Sequence, residues 1–260
     1  MTAPLLSVAE IRELVARSRP ERLARLLSRF DEDPRQGVAD CVAVARRRLA
    51  AFRTESRRLD RMAAMQSDLE ARGIRVVAGL DEVGRGSLAG PVSAAAVILP
   101  VSCRIERIDD SKRLTPEVRR RLDLEIRAVA VDVAVAHVSP GRIDEIGIAR
   151  AVEQAMREAI ASLATTIDHA LVDGRVGGLG VPTTAIVKGD SSVAAIAAAS
   201  IVAKVARDAL MVLLDEDHPG YGLASNKGYG SPDHLAAIDR LGPSAVHRRS
   251  FSPCSQTRLF

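Results

Sequence analysis

Apolar residues recur at three- and four-residue spacing through residues 7–71, the period of helices that bury one face. "SVAEIRELVARS" predicts a first helix and "PERLARLLSRF" a second, with Pro20 at its start. A long third helix is expected from about Val38 to Glu70, cut off from the second by Asp31-Glu32-Asp33-Pro34. Gly73 closes this stretch. The expected organisation is a helical N-terminal extension over 1–72 and a main domain over 73–260.

Beyond residue 73 the pattern changes to short runs rich in β-branched residues, bounded by Gly and Pro. Strands fit 74–81, 92–99, 130–138, 168–173 and 184–188. Helices fit 116–128, 148–164, 191–214 and 232–240, with a short turn near 140–146. A sheet that opens with an antiparallel pair and continues through helical crossovers predicts an α/β layered fold, a mixed sheet with helices on its faces.

The turn inside that antiparallel pair is "VAGLDEVGRGSLAGPV", residues 77–92. Gly84, Gly86 and Gly90 resemble a phosphate-cradling loop of a dinucleotide-binding unit, but such a loop must open a helix that offers its amide donors. Here Pro91 to Pro100 reads as a second strand. Asp81 and Glu82 would also repel a phosphate unless a cation stood between them. Context excludes the cradle.

Composition narrows the classes. A chain of 260 residues can bury a real core, and no apolar stretch approaches the roughly 20 residues of a membrane span. The start "MTAPLLSVAEIREL" lacks the basic opening and apolar run of a secretion signal. Cys41, Cys103 and Cys254 are far apart with no CxxC pair, which suits reduced thiols in a cytoplasmic protein and supports neither zinc nor a disulfide frame. Nothing demands a partner for folding, so a monomer is expected.

Charge is uneven. Residues 1–72 hold 15 Arg, no Lys and 11 acids, a net +4, whereas 73–260 hold 22 charges of each sign. Arg46, Arg47, Arg48, Arg53, Arg57, Arg58 and Arg61 crowd one segment, which suits an anionic polymer as well as a merely solvated helix face. The chain has 33 Arg but four Lys, and Lys112, Lys188, Lys204 and Lys227 each lie in a motif-like segment. A lysine kept among so many arginines suggests a need for a compact point charge.

Three expected strand ends deliver four acids: Asp81 and Glu82 from the first, Asp173 before Gly174, and Asp190 after "TTAIVKG". Loops at strand ends are where ligand sites gather in α/β sheets. Clustered carboxylates need protons or cations, and oxygen ligands without His or Cys favour Mg²⁺ or Mn²⁺. Taken alone, Asp190 reads equally as a helix N-cap and Asp173 as a turn residue. The adjacent pair is harder to dismiss, since neighbouring strand residues point to opposite faces. Asp208 lies too far along the following helix to join them.

"GLDEVGRGSLAGPVSAAAVIL", "DDSKRLTPEVRRRL", "VDG", "VKGDSSVAAIAAASIVAKVARDALM", "NKGYGSPDH" and the closing "HRRSF", in this order, resemble the type 2 ribonucleases H. Val83, Ser87 and Ser231 stand where Ala, Pro and Thr are usual. The resemblance implies a ribonuclease H-like fold. It also implies cleavage of RNA in RNA–DNA hybrids and at single ribonucleotides embedded in duplex DNA, with 5′-phosphate and 3′-hydroxyl ends. Asp81, Glu82, Asp173 and Asp190 would be catalytic acids holding two Mn²⁺ or Mg²⁺ ions during turnover. Gly84-Arg85-Gly86 would sense the ribose 2′-hydroxyl, Tyr229 would stack on the neighbouring sugar, and Lys112 and Lys188 would reach phosphates. The glycines suit close backbone approach to a sugar, and the 2′-hydroxyl is what marks RNA.

Two rivals remain open: another nuclease or strand transferase on the same fold, and a non-catalytic hybrid-binding module. Finally, "QTRLF" resembles the short peptides by which bacterial replication and repair enzymes grip the sliding clamp, with Gln256, Leu259 and Phe260 as the contact residues. Packing of Leu259 and Phe260 back on the domain is the plainer alternative.

Overall fold

The computed structural model describes residues 6–101, 103–174 and 176–256. It divides into two compact units, Met1–Asp60 and Arg61–Phe260. In the first, helix α1 (Val8–Arg17) opens on a capping box: Ser7 Oγ accepts the Glu10 amide, and Glu10 Oε2 accepts the Ser7 amide at 2.7 Å. Helix α2 (Pro20–Leu27) starts on its proline. The long helix α3 runs Gln36–Ala71. Ile11, Val15, Leu23, Leu27, Val38, Val42, Ala45 and Leu49 interlock as this unit's core. Arg48 caps the end of α1, donating to the carbonyls of Ala16 and Ser18 at 3.0 and 2.9 Å.

The second unit is built on a five-stranded sheet: β1 (Val77–Val83), β2 (Val92–Ile98), β3 (Asp132–Val138), β4 (His169–Asp173) and β5 (Thr183–Ile186). The strand order is β3-β2-β1-β4-β5, antiparallel from β3 to β1 and parallel from β1 to β5. Helix α4 (Pro116–Val129) precedes β3, and α5 (Pro140–Ile146) and α6 (Ile148–Ala161) cross over from β3 to β4. On one face, Ala151, Val152, Ala155, Met156 and Ala159 of α6 pack on Ala78, Leu80, Ala94 and Ala96. On the other lies α7 (Ala194–Asp217), pressed so close that a Cβ on Gly79 would fall 2.1 Å from the Ala195 carbonyl carbon. That fit explains the run of small residues in α7. A one-turn helix α8 (Leu223–Asn226) and α9 (Pro232–Leu241) complete the unit.

The mixed sheet and its helices are as the pattern predicts, with shifts that have local causes. β1 begins at Val77 and not at 74, because the amides of Arg75 and Val76 are taken by the Asp168 side chain before the ladder with β4 starts at Val77↔His169. β5 stops at Ile186, since Lys188 adopts a left-handed conformation with φ 57°. α7 begins at Ala194, later than expected, because residues 189–191 form a separate 3-10 turn. The boundary expected at 72 marks the end of α3 at Ala71, while the units divide at residue 60. Residues 61–71 belong to the second unit, where Gln66 Nε2 donates to Leu99 O at 2.8 Å. Residues 257–260, which hold most of the clamp-like peptide, lie outside the described residues. No helix among the described residues is long and apolar enough to cross a membrane.

Candidate active site

Asp81 and Asp173 each stand one residue beyond the last registered pair of neighbouring parallel strands, Leu80↔Val172. This places two acids side by side at the same end of the sheet. Asp81 shares the α7 face with Val77 and Gly79; it is 5% exposed and takes a hydrogen bond from Ser200 of α7. Its carboxyl also accepts the Glu82 amide at 2.8 Å. Burial, then the neighbouring Glu82 and Asp173 charges, drive the Asp81 pKa well above the usual carboxylate range. Burial also raises that of Glu82; Arg85, 3.5 Å away, pulls it back, and Asp173 adds to the rise.

Asp190 is not a helix cap. It lies in the 3-10 turn Gly189–Ser191, whereas the N-cap of α7 is Val193. The turn is fastened to β4 by the Gly189 amide, which donates to Asp173 Oδ1 at 2.7 Å. Asp190 is buried, and burial followed by repulsion from Asp110 and Asp173 raises its pKa. The four acids thus act on one another as a chain of charges. Among the described residues, no three are already gathered round one point as a metal cage.

A cleft of about 470 Å³ opens beside Asp81 and Glu82. Gly84, Arg85 and Gly86 form one wall, and Ser111, Lys112, Ser200, Lys204 and Tyr229 complete it. The Tyr229 ring is 38% exposed, with Arg207 Cζ 5.6 Å and Lys204 Nζ 5.9 Å from its centroid. Beneath the loop, the fully buried Arg207 donates to Pro91 O at 2.8 Å, Ser87 Oγ at 2.7 Å, Ala89 O at 3.1 Å and Lys227 O at 2.9 Å. One guanidinium therefore fastens the glycine loop to the loop that carries Tyr229.

The sequence from 78 to 254 matches the family model for ribonuclease HII, and 7–70 matches that for the ribonuclease HII N-terminal domain. The chain belongs to the ribonuclease HII family. It is a hydrolytic endonuclease of the ribonuclease H type. Ribonuclease HII of Geobacillus kaustophilus (strain HTA426) is 44% identical over 222 residues, 85% of each chain. The ribonuclease H2 structure from Pyrococcus horikoshii OT3 superposes with a TM-score of 0.60 at 26% identity, covering 70% of this chain and 96% of that one. The ribonuclease HII in the PCNA complex from Archaeoglobus fulgidus gives 0.55 at 26% identity, covering 66% and 93%.

Within this ribonuclease HII scaffold, Asp81, Glu82, Gly84, Arg85, Gly86, Lys112 and Tyr229 line one cleft. Asp173 and Asp190 join it through the field they exert: partial burial works to lower the Lys112 pKa, yet Asp110, Asp81, Asp190 and Asp173 together raise it. Lys188 is exposed at the turn that holds Asp190 and is not part of the cleft wall. Lys227 donates to Ala224 O and Asp208 O, so it is spent on its own loop. Asp208 pairs with Lys204 at 2.7 Å and not with the acids.

Ser87, where the resemblance led to an expectation of Pro, donates to Gly84 O at 2.8 Å and accepts from Arg207. A proline could do neither. Ser231 caps α9 through its hydroxyl, as a threonine would. The sequence pattern assigns no chemistry to Ser200, Ser111 or Arg207. Ser111 Oγ and Ser200 Oγ are 2.9 Å apart, which links the "DDSKRL" turn to the Asp81 partner. The clearest signal in the sequence is the serine in an otherwise alanine-rich face of α7.

Proposed function

We propose that this enzyme cleaves the RNA strand of RNA–DNA hybrids and cuts at single ribonucleotides embedded in duplex DNA, leaving 5′-phosphate and 3′-hydroxyl ends. The observation that carries this reading is one cleft shared by the Asp81-Glu82 pair, the Gly84–Gly86 loop and the exposed Tyr229 ring. Catalytic acids alone suit any phosphodiesterase. A glycine loop and a sugar-sized aromatic platform beside them suit one that must feel a ribose.

The donor set of Asp81, Glu82, Asp173 and Asp190 fits hard divalent cations. It is oxygen-only, and burial and repulsion leave Asp81, Glu82 and Asp190 short of positive charge. When bound, a pair of Mg²⁺ or Mn²⁺ ions supplies activation of water and stabilisation of the departing oxygen. The protein's own share is placement. Ser200 and the Glu82 amide orient the Asp81 carboxylate, and the Gly189 amide orients Asp173. Gly86 leaves the loop backbone open to a sugar hydroxyl, with nothing within 4 Å of where its Cβ would be. Tyr229 stacks against the adjacent sugar. Lys112, kept charged by the surrounding acids, takes a phosphate, and Lys188 meets the strand at the edge of the site. Incubation with a duplex carrying one ribonucleotide, with cut mapping and end analysis, tests this. Equal cutting of all-DNA duplex would favour a general nuclease, and cyclic phosphate ends would mean the 2′-hydroxyl was the nucleophile.

Residues 1–72 we read as an accessory region that adds phosphate contacts. Of its crowded arginines, Arg46 is engaged by Asp31, Arg48 by backbone carbonyls and Arg58 by Glu55, while Arg47, Arg53 and Arg57 are exposed. The tail peptide is proposed to dock on a sliding clamp, with Gln256, Leu259 and Phe260 as contacts. The Archaeoglobus relative found in complex with PCNA supports that reading. Titration of purified clamp against the full chain and one ending at Ser255 decides it, since equal binding would dispose of the idea.

A further inference from the structure

Two buried histidines take no part in the chemistry above. His234 is fully buried and His247 is 2% exposed, yet their Nε2 atoms lie 3.1 Å apart. Two imidazole nitrogens that close must share one proton, and the outer contacts decide whose it is. The Ser244 amide, which can only donate, points at His247 Nδ1 from 3.0 Å, with Ser244 Oγ at 2.9 Å sharing the contact. His247 Nδ1 is therefore bare, its proton is on Nε2, and it donates to His234 Nε2. His234 must then carry its proton on Nδ1, which lies 2.9 Å from the Tyr229 carbonyl oxygen, an acceptor. Every partner agrees with this single assignment. The Tyr221 ring, 4.7 Å from that of His247, shields the pair, and burial lowers the pKa of both rings, keeping them neutral.

The strand-like segment around His247 also grips the other recognition element. Gly90 N donates to Val246 O at 2.9 Å and Arg248 N to Leu88 O at 2.8 Å. The buried Arg248 side chain donates to Gly90 O at 3.1 Å and to Arg85 O, in the glycine loop, at 3.0 Å. Resting on the reading of Tyr229 and the Gly84–Gly86 loop given above, we propose that His247 and His234 are positioning residues. They hang the tyrosine loop from the segment that also carries the glycine loop, and so fix the gap between the two walls that receive the sugar.

Two measurements test this. In wild-type protein, ¹⁵N NMR of the imidazoles should find His234 protonated on Nδ1 and His247 on Nε2. Reversed tautomers would overturn the relay, and this needs no variant to fold. The second is a cycle of cleavage assays on a duplex with one ribonucleotide, using His234→Leu, Tyr229→Ala and the double variant. His234→Leu should lower kcat/KM about tenfold, the scale of a small misplacement, and add nothing once the Tyr229 ring is gone. His234→Asn, which keeps a donor near the Nδ1 position, should recover most of the loss. Fully additive losses, or an Asn variant as impaired as Leu, would mean general structural damage and sink the proposal. No effect of Tyr229→Ala would instead sink the reading of the tyrosine, while the tautomer measurement would still judge the relay.

Discussion

Gly84 and Arg207 contend for one space. A Cβ on Gly84 would lie 2.2 Å from Arg207 Nε, and Gly84 already holds φ +86°. Gly86, two residues on, has nothing within 4 Å and no such φ. Gly84→Ala should therefore destabilise the fold by about 2–4 kcal/mol through overpacking and backbone strain. Gly86→Ala should fold within roughly 0.5 kcal/mol of the parent yet, on the proposed role of this loop, cleave single-ribonucleotide duplex poorly, because its methyl group would fill the open space left for a sugar. Thermal unfolding paired with cleavage assays separates the two. Equal stability of both variants would show that Arg207 yields more easily than its four hydrogen bonds suggest.

Asp81→Asn should exchange activity for stability. The carboxyl is buried beside two other acids and its pKa is raised, so the charged form weakens the fold at neutral pH. An amide keeps an acceptor for Ser200 and the Glu82 amide and removes the repulsion. Without divalent cations we expect a gain on the order of 1 kcal/mol, roughly 2–4 °C in Tm, with turnover abolished and duplex binding retained. A lowered Tm would mean that repulsion is relieved by some other means.

His247 gives the fold an acid limit. Burial first, then the repulsion that protonated His234 and His218 would exert, lower its pKa from 6.5 to about 4. The unfolded chain binds the proton more readily, so this contribution is fully present above pH 6.5. It is lost as pH falls from there to about 4, on the order of 3 kcal/mol in all. Chemical denaturation at stepped pH should show that slope, and His247→Gln should flatten it.

Salt dependence tests the N-terminal arginines in the full chain. Replacing Arg47, Arg53 and Arg57 together by Gln should weaken duplex binding and reduce the slope of log affinity against log salt by about 1 for each phosphate left without its arginine. The cleavage position should not move. An unchanged slope would assign these exposed side chains to solubility alone.

Asp81 and Glu82 were legible in the sequence because adjacent acids at the end of a buried apolar run cannot both turn to solvent. Asp190 was not decided by sequence. An acid before a helix looks like a cap, and only the 3-10 turn that delays α7 to Ala194 removes that reading. The left-handed Lys188, which shortens β5, gave no warning because such backbone usually announces itself with glycine. Least legible were Arg207, Arg248, His234 and His247. In a chain with 33 arginines, two fully buried ones leave no mark on composition. Arg207 reaches acceptors more than 100 residues away and Arg248 more than 150, a separation that local pattern does not register.

The antiparallel return of β2 has one more consequence. Because β2 runs back along β1, the turn between them leaves from the edge of the sheet where the acids end. Gly84 follows Asp81 by three residues, so their Cα atoms can never be more than roughly 11 Å apart. On the proposed reading, the loop that would face the sugar and the acids that would cut beside it share a single short tether. On that reading, lengthening the tether would part the sugar-facing loop from the acids, whereas exchanging a side chain within it would leave their spacing intact.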